Sequence, residues 1–303
     1  MTIMTTTSKA PNEAAPAEQR VALIGFGEVG SIFAHDLQAR GFSLSAWDVV
    51  FPVAKPLMHE VRFADSAEEA VAGAAVVICA VTAAQTLAAA QSVCAGLARD
   101  SWFVDLNSAS PALKRAAASA IELAGGRYVE AAVMSPVPPK RLATPMLLGG
   151  AHAGAFLGVA AELGLSGAKF YAAELGRASA AKMCRSVMVK GIEALLIESL
   201  LSARHYRVDA DVVASLSDLF PGPDWTSLAH YMISRSLEHG QRRAEEMREV
   251  AATVRDAGLS PLMSSACAER QQLAPAFASA LQHADLASML DAILARLSEE
   301  RHL

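Results

Sequence analysis

Cysteine is scarce and scattered: the chain holds four, Cys79, Cys94, Cys184 and Cys267, with no Cys-x-x-Cys among them. Neither a thiolate zinc site nor a disulfide framework is suggested, and a reduced, cytoplasmic compartment is the expectation. Positive charge is not in excess, since 26 Lys and Arg against 31 Asp and Glu give a net charge of −5. That balance argues against nucleic acid as the main partner. No uninterrupted apolar run spans a membrane. The most apolar region, residues 70–90, is broken by Gly73, Thr82, Gln85 and Thr86, and it reads as a helix end, a strand over 75–81 and a helix start. Residues 1–19 are polar and lack an apolar core, so a disordered tail is expected there in place of a signal peptide. No cluster of His, Asp and Glu has metal-ligand spacing, so metal-free proton chemistry is expected. No repeat of fixed period is evident.

What is present is 303 residues, 53% of them hydrophobic and many of these alanine, enough for two domains with sizeable cores, or one large one, in a helix-rich globular chain. The organising stretch is Val21-Ala-Leu-Ile-Gly25-Phe26-Gly27-Glu28-Val29-Gly30, followed by a helical run to Arg40. It reads as strand, tight turn and helix. Gly25 can take the turn's backbone angles, Gly27 has no Cβ to hold a pyrophosphate away, and Gly30 lets the helix pack closely on the strand. The phosphates would meet free N–H groups at the positive end of the helix dipole. A second strand, Phe42 to Trp47, ends in Asp48, where an adenosine ribose would present its 2′-OH. That favours NAD over NADP; Lys55 is the one nearby cation that favours NADP.

Beyond Asp48 the sequence reads as a loop with Pro52 and Pro56, a capping box at Ser66 to Glu69, and the strand ending at Val81-Thr82, which would line the cofactor. A helix then runs to about Leu97. The strand Trp102 to Leu106 opens into Asn107-Ser108-Ala109-Ser110-Pro111, with Ser110 as cap and Pro111 in the first helical turn. The strand Arg127 to Val133 leads into Met134-Ser135-Pro136 and a proline-rich stretch to Gly150, read as a rigid loop. A helix near 152–163 and a strand at 168–172 complete the pattern. Alternating strands and helices require a mainly parallel sheet, with ligands collecting outside the carboxyl ends of its strands. From Arg177 strands stop, and helices are expected near 177–205, 209–218, 224–238, 240–257 and 261–298. The fold class is therefore α/β, a Rossmann-type doubly wound sheet over 20–175 followed by an all-α domain over 176–303.

On the first of those helices Lys182, Ser186, Val189 and Glu193 share one stripe, while Met183, Val187, Leu195, Leu196 and Leu200 form an apolar face. A lysine on such a stripe is ordinarily solvated. The chain resembles the β-hydroxyacid dehydrogenase and 6-phosphogluconate dehydrogenase family, however, over nearly the whole first domain and the start of the second. Gly25 to Gly30 is similar to the family's opening fingerprint. Asp105-Leu-Asn107-Ser108-Ala-Ser110-Pro111 resembles its Asp-x-Ser-Thr-x-Ser-Pro substrate segment, and Glu130 to Pro136 sits where the family has Asp-Ala-Pro-Val-Ser-Gly-Gly. Gly176 to Lys182 resembles its Gly-x-x-x-x-x-Lys segment, which implies that Lys182 is catalytic. The chain departs where Arg185 replaces an asparagine, with Ser186 next, and where Asn107 replaces a serine. The stretch from Arg235 to Pro261 resembles a poorly characterised C-terminal domain found on relatives of phosphogluconate dehydrogenase.

The expected reaction is hydride transfer between NAD, with NADP as the alternative, and a β-hydroxy or related polyhydroxy acid. An alcohol's proton then needs an acceptor within hydrogen-bond reach, and a buried lysine beside a cation such as Arg185 can be that acceptor. Asn107, Ser108, Ser135, Arg185 and Ser186 would hold the carboxylate or hydroxyl of the substrate. Arg235, His239, Arg242, Arg243 and Glu246, at spacings of three and four, are either a solvated face or an anion-binding wall; His239 and Arg242 are the candidate substrate contacts in the second case. His59, His152 and His230 read as ordinary, and Trp225 and Tyr231 as helix packing. A homodimer through the helical domain is what the resemblance implies. An imine reductase on the same architecture and a non-catalytic dinucleotide sensor are the competing readings.

Overall fold

Alternation along the central strand decides the architecture. In β1 (Arg20–Ile24), Val21 and Leu23 face one side while Ala22 and Ile24 face the other, and all four are fully buried. A strand buried on both faces needs helices on both faces. The computed structural model describes residues 20–51, 58 and 60–300; the expected tail at 1–19, and Pro52, Lys55, Pro56 and His59, lie outside the described residues. Within these, β1 pairs with β2 (Ser43–Trp47) and β4 (Val76–Cys79), and the sheet continues through β3 (Val61–Phe63), β5 (Trp102–Asp105), β6 (Arg127–Val133), β7 (Met146–Gly149) and β8 (Ala168–Ala172). The order is β3-β2-β1-β4-β5-β6-β7-β8. Every neighbouring pair is parallel except β6 with β7.

One face buries Phe33 and Leu37 of α1 (Glu28–Ala39) and Phe156 and Leu163 of α5 (Ala153–Leu163) against Leu23, Val104 and Leu148. The other buries α2 (Ala67–Val71), Ala90 of α3 (Thr86–Ser92) and Ile121 of α4 (Pro111–Leu123) against Ile24, Val77 and Phe103. The remainder is helical: α6 (Arg177–His205), α7 (Asp209–Leu219), α8 (Trp225–Asp256), α9 (Leu262–Leu273) and α10 (Leu286–Glu300). Leu196, Leu200, Ile233, Leu237, Met289 and Ile293 form its main apolar core. Among the described residues no helix is long and apolar enough to cross a membrane.

Several expectations are corrected. The proline-rich stretch before Gly150 contains a strand, β7, because Pro145 precedes the first ladder position, where its missing N–H is no loss. The region after Asp48 includes β3. The helix expected to reach Leu97 ends at Ser92, and the chain then closes on α2: a Cβ on Gly96 would lie 2.2 Å from the Glu68 carbonyl oxygen. The break expected between helices at 224–238 and 240–257 is absent, and Gly240 lies inside an unbroken α8. It is glycine because α9 and its extension press on it: an added Cβ would lie 2.3 Å from the Gln271 carbonyl oxygen and 2.6 Å from Pro275 Cδ. The segment expected as one helix over 261–298 is broken by a 3₁₀ stretch, Ala274–Gln282, with a non-helical residue at Phe277. On α6, Leu195 is 57% exposed, while the polar Ser186, Lys190 and Glu193 are buried. The buried side of α6 therefore mixes polar residues with Ala178 and Met183 over its first half.

A buried polar network fixes the carboxyl end of β5. Asp105 and Lys114 are each about 1% exposed and pair at 2.8 Å, and the ammonium also donates to the Asp105 carbonyl oxygen at 3.0 Å. The other carboxylate oxygen accepts from the Tyr128 hydroxyl at 2.6 Å, and Asn107 N–H donates to Oδ1 at 2.9 Å. With every polar atom of the carboxylate engaged, the turn into Asn107 and Ser108 has one conformation available.

Two stability outcomes follow from this packing. Lys114→Met leaves the Asp105 carboxylate buried without a counter-charge, so we expect a loss of about 3–5 kcal/mol in urea denaturation; an unchanged midpoint would show that the pair does not hold this strand end. Gly240→Ala drives a methyl into backbone atoms of α9, and we expect roughly 1–3 kcal/mol of destabilisation, readable in the same titration, whereas a helix break at this position would make alanine stabilising.

Candidate functional site at the junction of sheet and helices

The glycine turn has the geometry its sequence requires. Gly25 has φ 91°, and a Cβ there would collide with the Ala80 carbonyl oxygen at 2.3 Å. Gly30 has no room either, since its Cβ would lie 2.1 Å from the Gly25 oxygen. Gly27 is exposed, and among the described residues no atom beyond its own turn lies within 4 Å of the Cβ position, so this side of the turn is open. The first-turn N–H groups of α1 point there without helical acceptors. These residues fit a dinucleotide's diphosphate. Asp48, at the end of β2, accepts from Phe26 N–H at 2.6 Å and Val50 N–H at 3.1 Å; each oxygen keeps a lone pair that can accept a ribose hydroxyl.

Beside the turn lies the end of β4. Asn107 is buried, and its amide oxygen accepts from Val81 N–H at 2.7 Å while its amide nitrogen approaches Cys79 Sγ at 3.4 Å. Its side chain ties two strand ends together, so one of its amide hydrogens and one lone pair are already engaged. Thr82 is exposed in the adjoining turn. Ser108, the next residue after Asn107, reaches outward: Lys182 Nζ donates to its Oγ at 2.6 Å. The lysine of α6 and the serine after β5 thus meet across the junction.

What brings Lys182 there is a carboxylate on the sheet. Glu130, fully buried on β6, accepts from Gly176 N–H at 2.8 Å and Ser179 N–H at 2.6 Å. A side chain from another element therefore caps α6 and places negative charge at the positive end of its dipole. Gly149 makes the space, because a Cβ there would stand 2.6 Å from Glu130 Oε2. Gly176 itself has φ 95°, a conformation other residues adopt with strain. Opposite α6 runs α8. Its Glu249 accepts from Ser110 N–H at 2.9 Å, capping α4 from the helical domain. One turn earlier, Glu246 pairs with the buried Lys190.

This arrangement perturbs the amine. Burial pulls Lys182 down to about 8; Glu246 opposes the shift, and the cations Lys190, Lys114 and Arg242 reinforce it. Arg185, expected to be that cationic neighbour, is exposed on α6, and the cations that act on Lys182 are Lys190, Lys114 and Arg242. Burial raises the Glu246 carboxyl, but Lys190 and Lys182 overcome it and hold the group at about 2. A deeper pair, Glu193 with Arg243, is joined by Gln271; desolvation raises the Glu193 carboxyl against the pull of Arg243.

The remaining candidates divide. Ser186 is buried on the Lys182 face of α6, whereas Ser135 is partly exposed beyond β6 and makes only a 3.4 Å contact with the Pro136 oxygen. On α8, Arg242 Nη1 stands 3.6 Å from Glu28 Oε2 of the glycine turn, and His239 packs on Arg235 at 2.6 Å and Glu238 at 3.1 Å. Burial, then Arg235 and Arg242, hold the His239 imidazole below its ordinary range. His152 begins α5 and His230 contacts the His283 oxygen, both ordinary places. Trp225 packs on Phe220, and Tyr231 is 54% exposed.

The sequence reading missed Glu130, Lys114, Lys190 and Glu249. Two left a signal: Glu130 is an acid in an otherwise apolar buried strand, and Lys114 lies on the same helical stripe as Ala117, Ala118 and Ile121.

Known proteins match this geometry. Residues 20–173 match the NAD binding domain of 6-phosphogluconate dehydrogenase, and residues 203–274 match a domain of unknown function, DUF1932. The structure of a conserved hypothetical protein from Sinorhizobium meliloti 1021 is 35% identical, with a TM-score of 0.69 over 93% of this chain and 97% of that one. The mitochondrial 3-hydroxyisobutyrate dehydrogenase of Drosophila melanogaster is 25% identical over 213 residues, 69% of this chain and 66% of that protein, so just under two thirds of that relative is spanned. Likeness of fold alone extends to Mycobacterium tuberculosis 3-hydroxyisobutyrate dehydrogenase, 20% identical with a TM-score of 0.68 over 91% of this chain and 99% of that one. It extends also to a Streptomyces aurantiacus imine reductase, 21% identical with a TM-score of 0.53 over 91% and 99%. With the dinucleotide cradle on its sheet and half its length matched by that domain, the chain belongs to the family of 6-phosphogluconate and 3-hydroxyacid dehydrogenases.

Proposed function

We propose that the protein is a dehydrogenase moving a hydride between NAD and a β-hydroxy or related polyhydroxy acid, with Lys182 as the group that takes and returns the hydroxyl proton. The observation that carries this reading is the Lys182 amine itself, largely buried, 2.6 Å from Ser108 Oγ, with its affinity for protons lowered to about 8. An amine titrating near the working pH is present in both forms, as a general acid and base must be. A surface lysine, with its ordinary value near 10.4, would be almost wholly protonated.

When bound, the nicotinamide supplies the hydride acceptor. Everything else falls to the chain. Gly25, Gly27 and Gly30 with the start of α1 would hold the diphosphate, and Asp48 the ribose. Asp48 supports NAD, because a carboxylate accepts from a 2′-OH and repels a 2′-phosphate. Ser108 would orient the substrate hydroxyl toward Lys182 Nζ. In oxidation the neutral amine accepts the hydroxyl proton as the carbonyl forms; in reduction the ammonium donates it. Fixing the reacting carbon between such groups accounts for a large part of the rate.

The test is an absorbance screen at the NADH band, with NAD and NADP in parallel across short 3-hydroxy acids, sugar acids and cyclic imines. We expect turnover of a hydroxy acid with NAD ahead of NADP, and an oxidation rate that climbs with pH to a plateau above about 8 because the deprotonated amine is the active form. Reduction should show the opposite limb. Turnover confined to imines would establish the reductase reading, and cofactor binding with no turnover across the panel would establish the sensor.

A further inference from the structure

We propose that Arg242 is a cofactor-binding residue: the guanidinium of α8 grips the dinucleotide's diphosphate over the glycine turn, exchanging its contact with Glu28 for the phosphate oxygens. The inference rests on the reading of the glycine turn as the dinucleotide cradle, but not on the role of Lys182.

The starting point is an electrostatic conflict inside the cradle. Glu28 is the first residue of α1 and follows Gly27, the glycine on the open side of the turn. A carboxylate there gains from the helix dipole, yet it repels an arriving dianion. The conflict is relieved only if a cation stands by, and Arg242 is that cation, reaching across from the helical domain with Nη1 3.6 Å from Glu28 Oε2.

Arg242 is placed but not satisfied. Its Nε stands 4.0 Å from Glu246 Oε1, so the guanidinium sits between two acids at 3.6 and 4.0 Å, both beyond hydrogen-bond length. That Nε is shielded from solvent and has no hydrogen-bond partner among the described residues. Lys190 engages the other Glu246 oxygen, Oε2, and Oε1 stays out of hydrogen-bond reach of the guanidinium. An arginine has five donors in a planar fork that matches two phosphate oxygens at once. Long ion pairs between half-exposed groups, as Arg242 and Glu28 are at 40% and 49%, hold weakly, so the exchange costs little. Of the other groups on this side of α8, Arg235 is cationic, His239 is held below its ordinary range by burial and by these same arginines, and the Glu238 carboxylate lies against His239 at 3.1 Å and Arg235 at 3.9 Å. Lys182 and Lys190 repel it.

Because the contact is with the diphosphate, it should not distinguish NAD from NADP. It also moves Arg242 from the substrate's account, where the sequence placed it, to the cofactor's.

The experiment is a fluorescence titration of the full-length protein with NADH, and separately with NADPH, in the absence of any substrate. We expect Arg242→Gln to raise Kd for both by about tenfold or more, the loss of one charge-assisted contact, and to flatten the dependence of Kd on salt. Glu28→Gln, at an exposed position, removes the competitor and should tighten both cofactors. An Arg242→Gln protein that melts as the wild type does and binds NADH with unchanged Kd overturns the proposal, and a higher hydroxy-acid KM in that variant would return the residue to the substrate. Weaker binding by Glu28→Gln would equally contradict the exchange. Since no turnover is needed, failure here is separable from failure of the dehydrogenase reading.

Discussion

Two hydrogen bonds to one buried carboxylate set the geometry of the site. Glu130 leaves the sheet at β6 and receives the Gly176 and Ser179 N–H groups at 2.8 and 2.6 Å, so the start of α6 is fixed to the strand and not to the helices that follow. Six residues on, Lys182 is delivered to Ser108. The glycines around this cap are spatial requirements: Gly149 leaves the volume the carboxylate occupies, and Gly176 takes the left-handed turn that lets α6 begin. The position of the amine is thus determined by the sheet that also builds the dinucleotide cradle, and the two halves of the proposed chemistry share one rigid reference.

The second constraint is charge. Lys190 and Glu193 of α6 are buried with Glu246 and Arg243 of α8 as partners, an arrangement that costs desolvation and returns it as pairing. Such pairs contribute little net stability, but they fix which turn of α6 faces which turn of α8. They also determine the field at Lys182: burial and the cations lower the amine's proton affinity, and Glu246 limits how far. In the proposed reading this places the amine's titration where both of its forms are populated. Glu249 on the Ser110 N–H adds a link from α8 to α4, so the helical region is tied to both strand ends that flank the cleft.

The sheet was legible because its signals are local. Gly25, Gly27 and Gly30 each have a steric reason readable from spacing alone, and continuous apolar strands can only be central ones. The family resemblance singled out Lys182, and the structure brings it to Ser108. What the sequence hid is whatever depends on a distant partner. Leu195 looks like a core residue and Lys190 like a surface one, yet the first is exposed and the second buried, because the facing helix brings Glu246 and not leucines. Asn107 gives no sign in the sequence that its amide ties the Val81 N–H to Cys79. Gly240 carries the chemistry of a break, and only the close approach of Gln271 and Pro275 shows it to be a packing contact. The short strands β3 and β7 have too few residues for periodicity to register.

The central claim is that a single amine at the sheet–helix junction carries the proton while the cradle holds the cofactor independently. The most direct measurement is single-turnover hydride transfer by Lys182→Met, followed at the NADH band with a hydroxy acid that the wild type turns over, alongside the variant's NADH affinity. The account predicts a transfer rate lowered by roughly 10²–10⁴-fold, as for loss of a positioned acid–base group, with cofactor affinity and melting temperature preserved. A transfer rate within a few-fold of the wild type, with cofactor bound normally, would contradict it.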